Sequence, residues 1–180
     1  VSPDSSKAAF IKDHNLWIHD LASGEEKPLT SDGIAHYGYA RVPERTSMMQ
    51  GLTDHSQPQL PEALWSPDSK QLLTVQTDER EVLSIPVTQF VPQSGDVRPM
   101  GHQTKYALPG DKHIAEYRML AINVDAGSIC AAQHPVVPDA VLWASPFTGN
   151  RAWWSADSAT GYFINMARGQ QHVQLMAFNT

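Results

Sequence analysis

Trp65-Ser66-Pro67-Asp68-Ser69-Lys70-Gln71-Leu72-Leu73-Thr74-Val75 joins a tight turn directly to an apolar run. Proline presets its own φ for a turn and the aspartate side chain bonds to nearby backbone, so Ser-Pro-Asp-Ser reverses the chain. The run 72–75 that follows is apolar enough for a buried strand. This stretch therefore predicts a β-turn that feeds one strand of a sheet.

The same turn occurs twice more along the chain. Val1-Ser2-Pro3-Asp4-Ser5 precedes the apolar run 8–11, and Trp154-Ser155-Ala156-Asp157-Ser158 precedes the run 161–164. One turn chemistry that recurs before one strand chemistry is the signature of a modular array. We therefore predict an all-β fold made of similar units. The predicted units lie near 1–63, 64–152 and 153–180.

The first unit shows what each repeat contains. A strand at 8–11, a tight turn at 13–15, a strand at 16–21, a glycine turn at 22–26 and an outer strand from 27 to 30 follow in order. This spacing is typical of a propeller blade, so we predict a partial β-propeller of about three antiparallel blades. The sequence opens and closes inside the repeat pattern, without atypical capping units, and we therefore expect a fragment of a larger propeller.

Three stretches interrupt or extend this simple pattern. Glycines and prolines break the periodicity over 31–63, and we predict a long loop there, which in a compact repeat protein is usually functional. We predict that 82–87 is a paired strand of the second unit, with Pro86 at an edge or bulge. Alternation returns at 117–124, which predicts a further strand.

Composition excludes several classes of function. Of the 180 residues, 41% are hydrophobic and 18% charged, as in ordinary globular proteins. The net charge of −6 disfavours a nucleic-acid surface, which needs clustered Lys and Arg. No apolar stretch approaches the roughly 18 residues of a membrane span. The single cysteine, Cys130, excludes an internal disulfide, and its apolar neighbours predict a buried, inert thiol.

The sequence carries no motif for catalysis or metal binding. An α/β-hydrolase nucleophile needs Gly-x-Ser-x-Gly, because the serine projects from a strained turn with small neighbours, and no serine here has that context. The eight histidines form no pair at zinc spacing with cysteine or carboxylate support. We therefore expect no catalytic residue, no metal and no cofactor in this chain.

Other side chains have both a functional and a structural interpretation. Asp4, Asp68 and Asp157 share one repeat position, which suits a calcium array, but we expect them to cap their turns. The acids of Asp78-Glu79-Arg80-Glu81 resemble an acid–base pair, but neighbours in a strand point to opposite faces, so we expect a solvated strand end. The tryptophans expected to pack between blades are Trp65, Trp153 and Trp154.

Together these motifs resemble one family. Trp65-Ser66-Pro67-Asp68-Ser69, followed by Thr77-Asp78-Glu79-Arg80-Glu81-Val82, looks like the propeller domain of dipeptidyl peptidase IV and its bacterial relatives, in the prolyl oligopeptidase group of serine peptidases. Arg98-Pro99 with Lys105-Tyr106-Ala107-Leu108-Pro109-Gly110 is similar to that family's Arg-Tyr-Pro-like run and Pro-Gly turn. The stretches 10–17 and 21–26 resemble its blade with an Asn-Leu strand. The similarity extends over almost the whole chain.

The resemblance implies a propeller of about eight blades over an α/β-hydrolase domain, which we expect downstream of this sequence. The triad would lie in that domain, while the propeller screens the active site and supplies acids that hold the free amino terminus of a peptide substrate. In the family these acids are a paired Glu-Glu in the insertion before the Trp-Ser-Pro-Asp turn. Here the insertion 39–47 contains only Glu44, followed by Arg45. Glu44 is the one candidate substrate-binding residue, and its alternative is a solvated surface pair with Arg45.

Three hypotheses of function remain open. The first is the non-catalytic propeller of a dipeptidyl peptidase-like serine peptidase, which restricts access to the hydrolase domain and positions short peptides for proteolysis. The second is a propeller that binds protein partners with no peptidase attached, and the third is a sugar hydrolase with acids at the blade centres. Exposed strand edges lead us to expect that the isolated chain self-associates. The resemblance also allows a homo-oligomeric parent protein, periplasmic or secreted rather than cytoplasmic.

Overall fold

The computed structural model describes residues 1–41, 60–91, 97–133, 137–138, 151–166 and 172–180. Within these ranges the chain forms β-strands and no helix. The strands are β1 (Lys7–Lys12), β2 (Asn15–Asp20), β3 (Glu26–Pro28), β4 (Tyr37–Tyr39), β5 (Ala63–Trp65), β6 (Gln71–Asp78), β7 (Ser84–Gln89), β8 (Met100–Lys105), β9 (Glu116–Asn123), β10 (Ile129–Ala131), β11 (Val137–Pro138), β12 (Ala152–Trp154), β13 (Thr160–Met166) and β14 (Val173–Asn179).

The strands form three blade-like sheets and one separate hairpin. The first sheet has the order β1-β2-β3, and the third sheet has the order β12-β13-β14. The central sheet has the order β10-β9-β6-β4, with β5 also paired to β6 and β11 also paired to β9. β7 and β8 form an outer hairpin of their own. Every strand pair is antiparallel, and the predicted all-β partial propeller is confirmed.

The central sheet is buried on both faces, because successive side chains of β6 and β9 point to opposite sides. Leu72 of β6 faces the first sheet, whereas Leu73 and Val75 face the third sheet. The apolar cluster on the first side contains Leu16, Ile18, Leu29, Tyr39, Ala40, Leu72, Leu120, Ile122 and Val124. The cluster on the other side contains Leu73, Val75, Met119, Ala121, Ala132, Ala152, Trp154 and Phe163.

The third sheet approaches the central sheet closely at Gly161. A Cβ atom there would lie 3.1 Å from the Phe178 ring and 3.2 Å from Leu73 Cδ1. Trp154 is buried beside it, and its indole Nε1–H donates to the carbonyl oxygen of Leu64 at 3.0 Å. The predicted packing of Trp154 between sheets is therefore confirmed.

The other two tryptophans differ from each other. Trp65 is half-buried and packs against the first apolar cluster, as predicted. Trp153 instead keeps 38% of its surface exposed and stacks on Tyr162 of the neighbouring strand, with ring centroids 5.6 Å apart. Its predicted contact with another sheet is wrong for the described residues, because consecutive residues of β12 point to opposite faces and Trp154 takes the inward one.

Each Ser-Pro-Asp-Ser turn is closed by its own side chains. In the second copy, Ser66 Oγ–H donates to Asp68 Oδ1 at 2.6 Å, and the backbone N–H groups of Lys70 and Gln71 donate to Asp68 Oδ1 and Ser66 Oγ. The first and third copies repeat these bonds. The predicted capping role of the three aspartates is confirmed. In the first copy, the Ser2 hydroxyl and the groups of Ser6 lower the pKa of Asp4 to about 2.

The turns also bond to one another across the sheets. The backbone N–H of Asp4 donates to Ser69 Oγ at 3.1 Å, and the backbone N–H of Asp68 donates to Ser158 Oγ at 3.2 Å. We call this series the turn ladder. Each acceptor serine is held in the left-handed region, with φ of 63° at Ser69 and 62° at Ser158, which points its hydroxyl at the preceding turn.

The buried apolar faces and the turn ladder contribute different amounts of free energy to the contact between sheets. Burial of one leucine side chain contributes roughly 1.5–3 kcal/mol, whereas one hydrogen bond contributes roughly 0.5–1.5 kcal/mol. The two apolar clusters contain many such side chains, and the ladder contributes two bonds. The apolar faces therefore supply most of the contact energy, and the directional ladder fixes how neighbouring sheets align.

Two sequence predictions about strands need correction. The predicted loop over 31–63 contains β4, which pairs with the last residues of β6. The stretch 82–87 is paired, but with β8 in the outer hairpin and not within the central sheet. The strand beside β6 is instead β9, whose eight residues all pair with β6. Pro86 lies in a two-stranded sheet, where every strand is an edge, as its missing N–H requires.

Two predictions about burial are also wrong. Cys130 is exposed, because β10 is the outermost strand of the central sheet and its three residues lie at the surface. Glu79 is only 6% exposed, although we predicted a solvated strand end. Its backbone N–H donates to the carbonyl oxygen of His36 at 2.7 Å. This bond holds the end of β6 against the residue that precedes β4.

We expect Ser69→Ala to lower the free energy of unfolding by roughly 0.5–1.5 kcal/mol, because it removes the acceptor of the Asp4 N–H between sheets. Ser5→Ala is the matched control, since Ser5 has the same turn position and a φ of 61° but makes no ladder bond among the described residues. Urea unfolding followed by tryptophan fluorescence, on dilute monomeric chain, measures both. Equal losses in the two variants would contradict the role of the ladder.

We expect the Cys130 thiol to react with a soluble thiol reagent in the folded chain at a rate within about tenfold of that in urea, because an exposed thiol is accessible without unfolding. The absorbance of the released chromophore measures the rate. Protection of about a hundredfold or more in the folded chain would show that the edge strand is covered.

Candidate functional site

One edge of the central sheet is made of two short strands in place of one long strand. β4 pairs with Gln76, Thr77 and Asp78, and β5 pairs with 72–74, so both lie on the same side of β6. Residues 42–59 join the two strands along the chain and lie outside the described residues. We call this interrupted border the split edge.

The described chain on either side of residues 42–59 forms two stems, which are held together at the middle of β6. The backbone N–H of Ala40 donates to the carbonyl oxygen of Val75, and the N–H of Glu62 donates to the carbonyl oxygen of Ala40, each at 2.8 Å. The Thr74 hydroxyl donates to the carbonyl oxygen of Glu62 at 2.8 Å, and the Thr77 hydroxyl donates to that of Arg41 at 2.8 Å. The sheet therefore fixes the position of both stems.

The turn between β1 and β2 lies against the backbone of Gly33, where there is no room for a side chain. A Cβ atom on Gly33 would lie 2.4 Å from the carbonyl oxygen of His14. The Gly33 N–H donates to Asn15 Oδ1 at 2.9 Å, and the Tyr39 N–H donates to the His14 carbonyl oxygen at 2.9 Å. His14 itself has a φ of 64°. These bonds bring the first sheet's turn beside the split edge.

His14 and Arg41 meet at this junction. Arg41 Nη1 lies 2.9 Å from His14 Nδ1. Because a guanidinium has only donors, His14 Nδ1 is the acceptor and its ring proton lies on Nε2. Burial lowers the pKa of His14 below its usual value of 6.5, and the charge of Arg41 lowers it further. The pair is therefore a neutral imidazole held against a fixed positive charge.

Tyr39 carries the second polar contact of the site. It is 5% exposed, and its hydroxyl donates to Asp32 Oδ1 at 2.7 Å. Burial raises the pKa of Tyr39, and the neighbouring Asp32 carboxylate raises it further. The phenol therefore stays protonated and serves as a hydrogen-bond donor.

A third group lies at the end of β6. Arg80 binds Asp78 through two bonds, from Nη2 to Oδ2 at 2.6 Å and from Nε to Oδ1 at 3.0 Å. The guanidinium also lies 4.1 Å from the centre of the Tyr37 ring. The Arg80 side chain lowers the pKa of Asp78. Asp78 is thus an ion-pair partner, which disfavours its role in an acid–base pair.

Gln76 was missed by sequence reasoning. It lies on β6 opposite Tyr39, is 5% exposed, and its amide Nε2 has no hydrogen-bond partner among the described residues. A polar side chain inside an apolar strand run is its only sequence signal. No contact between histidines was predicted from the sequence, yet the positive charge that His36 can carry lowers the pKa of His14.

The predicted site residue Glu44 lies outside the described residues, three positions beyond Arg41.

Within the described ranges, no three or more His, Cys, Asp or Glu side chains are grouped so that they could hold a metal ion. A search of the same ranges finds no helix long and apolar enough to cross a membrane. What the split edge presents is a set of fixed polar groups and charges around its two stems.

Comparison with protein families gives one match over most of the chain. The model described as "Dipeptidyl peptidase IV (DPP IV) N-terminal region" matches residues 1–44 and 59–180. A probable dipeptidyl-aminopeptidase B of Uncinocarpus reesii is 29% identical over 102 residues, which are 57% of this chain and 10% of the relative. A probable dipeptidyl-aminopeptidase B of Aspergillus niger is 31% identical over 98 residues, 54% of this chain and 10% of the relative. The matched region thus spans about a tenth of these relatives.

Two solved structures have the same fold. The crystal structure of Porphyromonas gingivalis dipeptidyl peptidase 4 matches with a TM-score of 0.71 and 18% identity, over 99% of this chain and 23% of that one. A putative dipeptidyl aminopeptidase IV from Bacteroides ovatus matches with a TM-score of 0.66 and 17% identity, over 98% of this chain and 21% of that one. The chain thus covers less than a quarter of each of these two structures.

We expect the chain to lose stability as the pH falls below 6.5, partly through His14. The unfolded chain binds a proton there at the ordinary pKa, but the folded chain resists it, so the stability is present above 6.5 and declines below it. His14→Asn, which tolerates positive φ, should show a smaller decrease in the urea midpoint between about pH 7 and about pH 5. His172→Asn, at an exposed histidine, is the control. Equal decreases in all three proteins would contradict the assignment.

Proposed function

Because this chain belongs to the family of dipeptidyl peptidase IV N-terminal regions, we propose that it forms the non-catalytic propeller part of a serine peptidase. In this role it restricts access to a separate hydrolase domain and positions short peptides for cleavage there. The relatives it matches are named dipeptidyl-aminopeptidases, which supports peptides with a free amino terminus as the substrate class.

The observation that carries this proposal is the split edge. Two short strands, β4 and β5, pair with β6 along this edge, and residues 42–59 join them along the chain. Loops on a rigid scaffold are where binding residues concentrate. The described stems on both sides of 42–59 are anchored to β6 by backbone and hydroxyl bonds.

The chemistry at the stems supports binding better than catalysis. Arg41 keeps a positive charge beside the neutral His14, whereas the buried Tyr39 hydroxyl is used by Asp32 and the Asp78 carboxylate by Arg80. A positive charge of this kind suits the carbonyl oxygens and the carboxylate end of a peptide. Gly-x-Ser-x-Gly is absent from the sequence, so acyl transfer needs a nucleophile supplied by another domain.

The arrangement of the whole protein is part of the proposal. We place the three repeated units, near 1–63, 64–152 and 153–180, in a propeller of about eight blades with the hydrolase domain after it. The share of the relatives that this chain matches, about a tenth, leaves room for both. The coding sequence beyond Thr180 should then contain Gly-x-Ser-x-Gly, followed by the triad's Asp and His. Further blades and a stop codon would favour the binding module without peptidase.

The experiment that tests the function uses the complete polypeptide encoded by the gene. Chromogenic dipeptides with a free amino terminus should be cleaved, their amino-blocked counterparts much less, and peptides of about 30 residues hardly at all. Replacing 42–59 with a short Gly-Ser linker should raise cleavage of the long peptides relative to the dipeptides if, as proposed, this segment restricts their access. Unchanged length selectivity would overturn the role of this segment in access.

Glu44→Gln in the same polypeptide should raise KM for free-amino dipeptides by about tenfold and leave kcat nearly unchanged, because a charge-assisted bond to the substrate's ammonium group contributes roughly 1.5–3 kcal/mol. Glu81→Gln, at an exposed turn, is the matched control. Steady-state kinetics with free and amino-blocked substrates measure the effect. An equal change for both substrates, or no change, would exclude Glu44 as the amino-terminal contact.

A further inference from the structure

We propose that an acid-sensitive contact connects the first sheet to the split edge, and that a proton on His14 opens it. The contact joins the turn between β1 and β2, residues 13–15, to residues 32–41, and we call it the junction. Neutral His14 accepts a hydrogen bond from Arg41 there, whereas protonated His14 cannot accept one at the same nitrogen. The junction lies within the described chain, so this inference does not depend on the proposed peptidase role.

Backbone strain is concentrated at the junction. Seven described residues other than glycine have positive φ, and three of these are the last serines of the three repeated turns. The other four all belong to the junction and are Asp13, His14, His36 and Ala40, with φ of 48°, 64°, 61° and 53°. Such conformations persist only where surrounding contacts hold them, and they cluster at switch regions. The junction therefore depends on its contacts more than on the preferences of its own backbone.

Two glycines let the turn approach the backbone of the split edge. A Cβ atom on Gly33 would lie 2.4 Å from the carbonyl oxygen of His14, and one on Gly38 would lie 3.3 Å from the same oxygen. A Cβ atom on Gly38 would also lie 3.3 Å from Arg41 Cδ and 3.5 Å from His14 Cβ. The pair of His14 and Arg41 thus packs directly over Gly38, with little room to rearrange while the junction is closed.

Backbone N–H groups on one side of the junction donate to acceptors on the other side. The Tyr39 N–H donates to the carbonyl oxygen of His14 at 2.9 Å, and the Gly33 N–H donates to Asn15 Oδ1 at 2.9 Å. The N–H of Ala40, which follows Tyr39, instead donates to the carbonyl oxygen of Val75 within the central sheet. Opening of the junction therefore releases the N–H groups of Tyr39 and Gly33 and leaves that of Ala40 bonded.

A proton on His14 removes the acceptor that the junction uses. Arg41 Nη1 lies 2.9 Å from His14 Nδ1, which accepts because a guanidinium has only donors. In the charged imidazolium both ring nitrogens are donors, so a donor would face a donor and a positive charge would face a positive charge. The protonated ring and Arg41 must separate. Since both pack over Gly38, they separate by opening the junction.

The charges that act on His14 come from each element packed against it. Burial lowers the pKa of His14, and the charge of Arg41 on the stem lowers it further. Asp13 of the same turn raises this pKa, and the positive charge that His36 can carry, just before β4, lowers it. The closed junction therefore resists the proton, and uptake of the proton favours the open form.

The other acidic side chains at this edge already have partners. Asp32 accepts a hydrogen bond from the Tyr39 hydroxyl, and Asp78 is bound by Arg80. The remaining two, which also have interaction partners, are Glu62 and Glu79. Among the described groups, Asp13 is therefore the carboxylate that acts on the charge of His14.

Hydrogen–deuterium exchange of the complete polypeptide encoded by the gene, resolved to single residues by mass spectrometry, tests the opening. After correction for intrinsic rates, the Tyr39 and Gly33 N–H groups should exchange about fivefold to tenfold faster at about pH 5.5 than at about pH 7.5. The reason is that an opening coupled to one proton on a histidine of ordinary pKa, about 6.5, is favoured up to about tenfold over that interval. The Ala40 N–H is the internal control and should change less than about twofold, because its bond lies outside the junction. No acceleration, or equal acceleration at Tyr39 and Ala40, would overturn the proposal.

Substitution of the histidine identifies the group that takes up the proton. His14→Asn tolerates the positive φ and cannot titrate, so the acid acceleration at Tyr39 should be lost. His172→Asn, at an exposed histidine outside the junction, is the control and should keep the acceleration. Circular dichroism checks that both variants are folded. Acceleration that persists unchanged in His14→Asn would exclude His14 as the proton acceptor.

Two charge changes test the assignment without touching His14. The acceleration levels off where the closed junction itself takes up the proton, so its lower limit follows the pKa of His14 in the closed form. Asp13→Asn removes a negative charge and should extend the acceleration to lower pH, whereas His36→Asn removes a positive charge and should end it at higher pH. Asparagine tolerates the positive φ at both positions. Shifts in the same direction, or no shift in either variant, would contradict the proposal.

The junction also gives the split edge a way to respond to acid, a consequence that rests on the proposed function. In the complete polypeptide, the ratio of long-peptide to dipeptide cleavage should rise from about pH 7.5 to about pH 5.5 and should stay constant in His14→Asn. Both substrates use the same triad, so the ratio cancels the pH dependence of the hydrolysis itself. A constant ratio together with acid-accelerated exchange would overturn the control of access and leave the acid-sensitive junction established. Exchange that does not respond to acid would overturn the junction whatever the ratio does.

Discussion

Burial of β6 and β9 on both faces is the constraint on which the rest of the structure depends. Since adjacent residues of a strand point to opposite sides, Leu72 and Leu73 cannot share one core, and each needs its own covering sheet. The central sheet is thus stable only between two neighbours. This requirement explains why the chain is built as a series of stacked sheets.

The Ser-Pro-Asp-Ser turns give this stacking a direction. Apolar faces attract without specifying an angle or an order, whereas a hydrogen bond has a donor side and an acceptor side. The same four residues close the turn through Ser66 and Asp68 and reach the neighbouring turn through Ser69. One short motif therefore carries local reversal, alignment between sheets and the polarity of the array. Its serine in the fourth position, at positive φ, is the residue that links the last two roles.

The split edge is the place where the repeat departs from its simple pattern. Tyr39 and Ala40, the described residues just before this break, still belong to the first apolar cluster. The polar groups that gather there come from three distant stretches, at His14, Arg41 and the end of β6. The proposed role in peptide access depends on this fixed base on both sides of residues 42–59.

The sequence by itself determined the all-β class, the three turns and most strands that follow them, since turn chemistry and alternation are local properties. It did not determine that β9 pairs with β6, that Cys130 is exposed, or that Glu79 is buried, because these depend on which strands become neighbours and which become edges. The contact of His14 with Arg41 joins residues 27 positions apart, and no spacing rule predicts it. Only tertiary structure decides such contacts, because they arise when sheets pack and not when strands form.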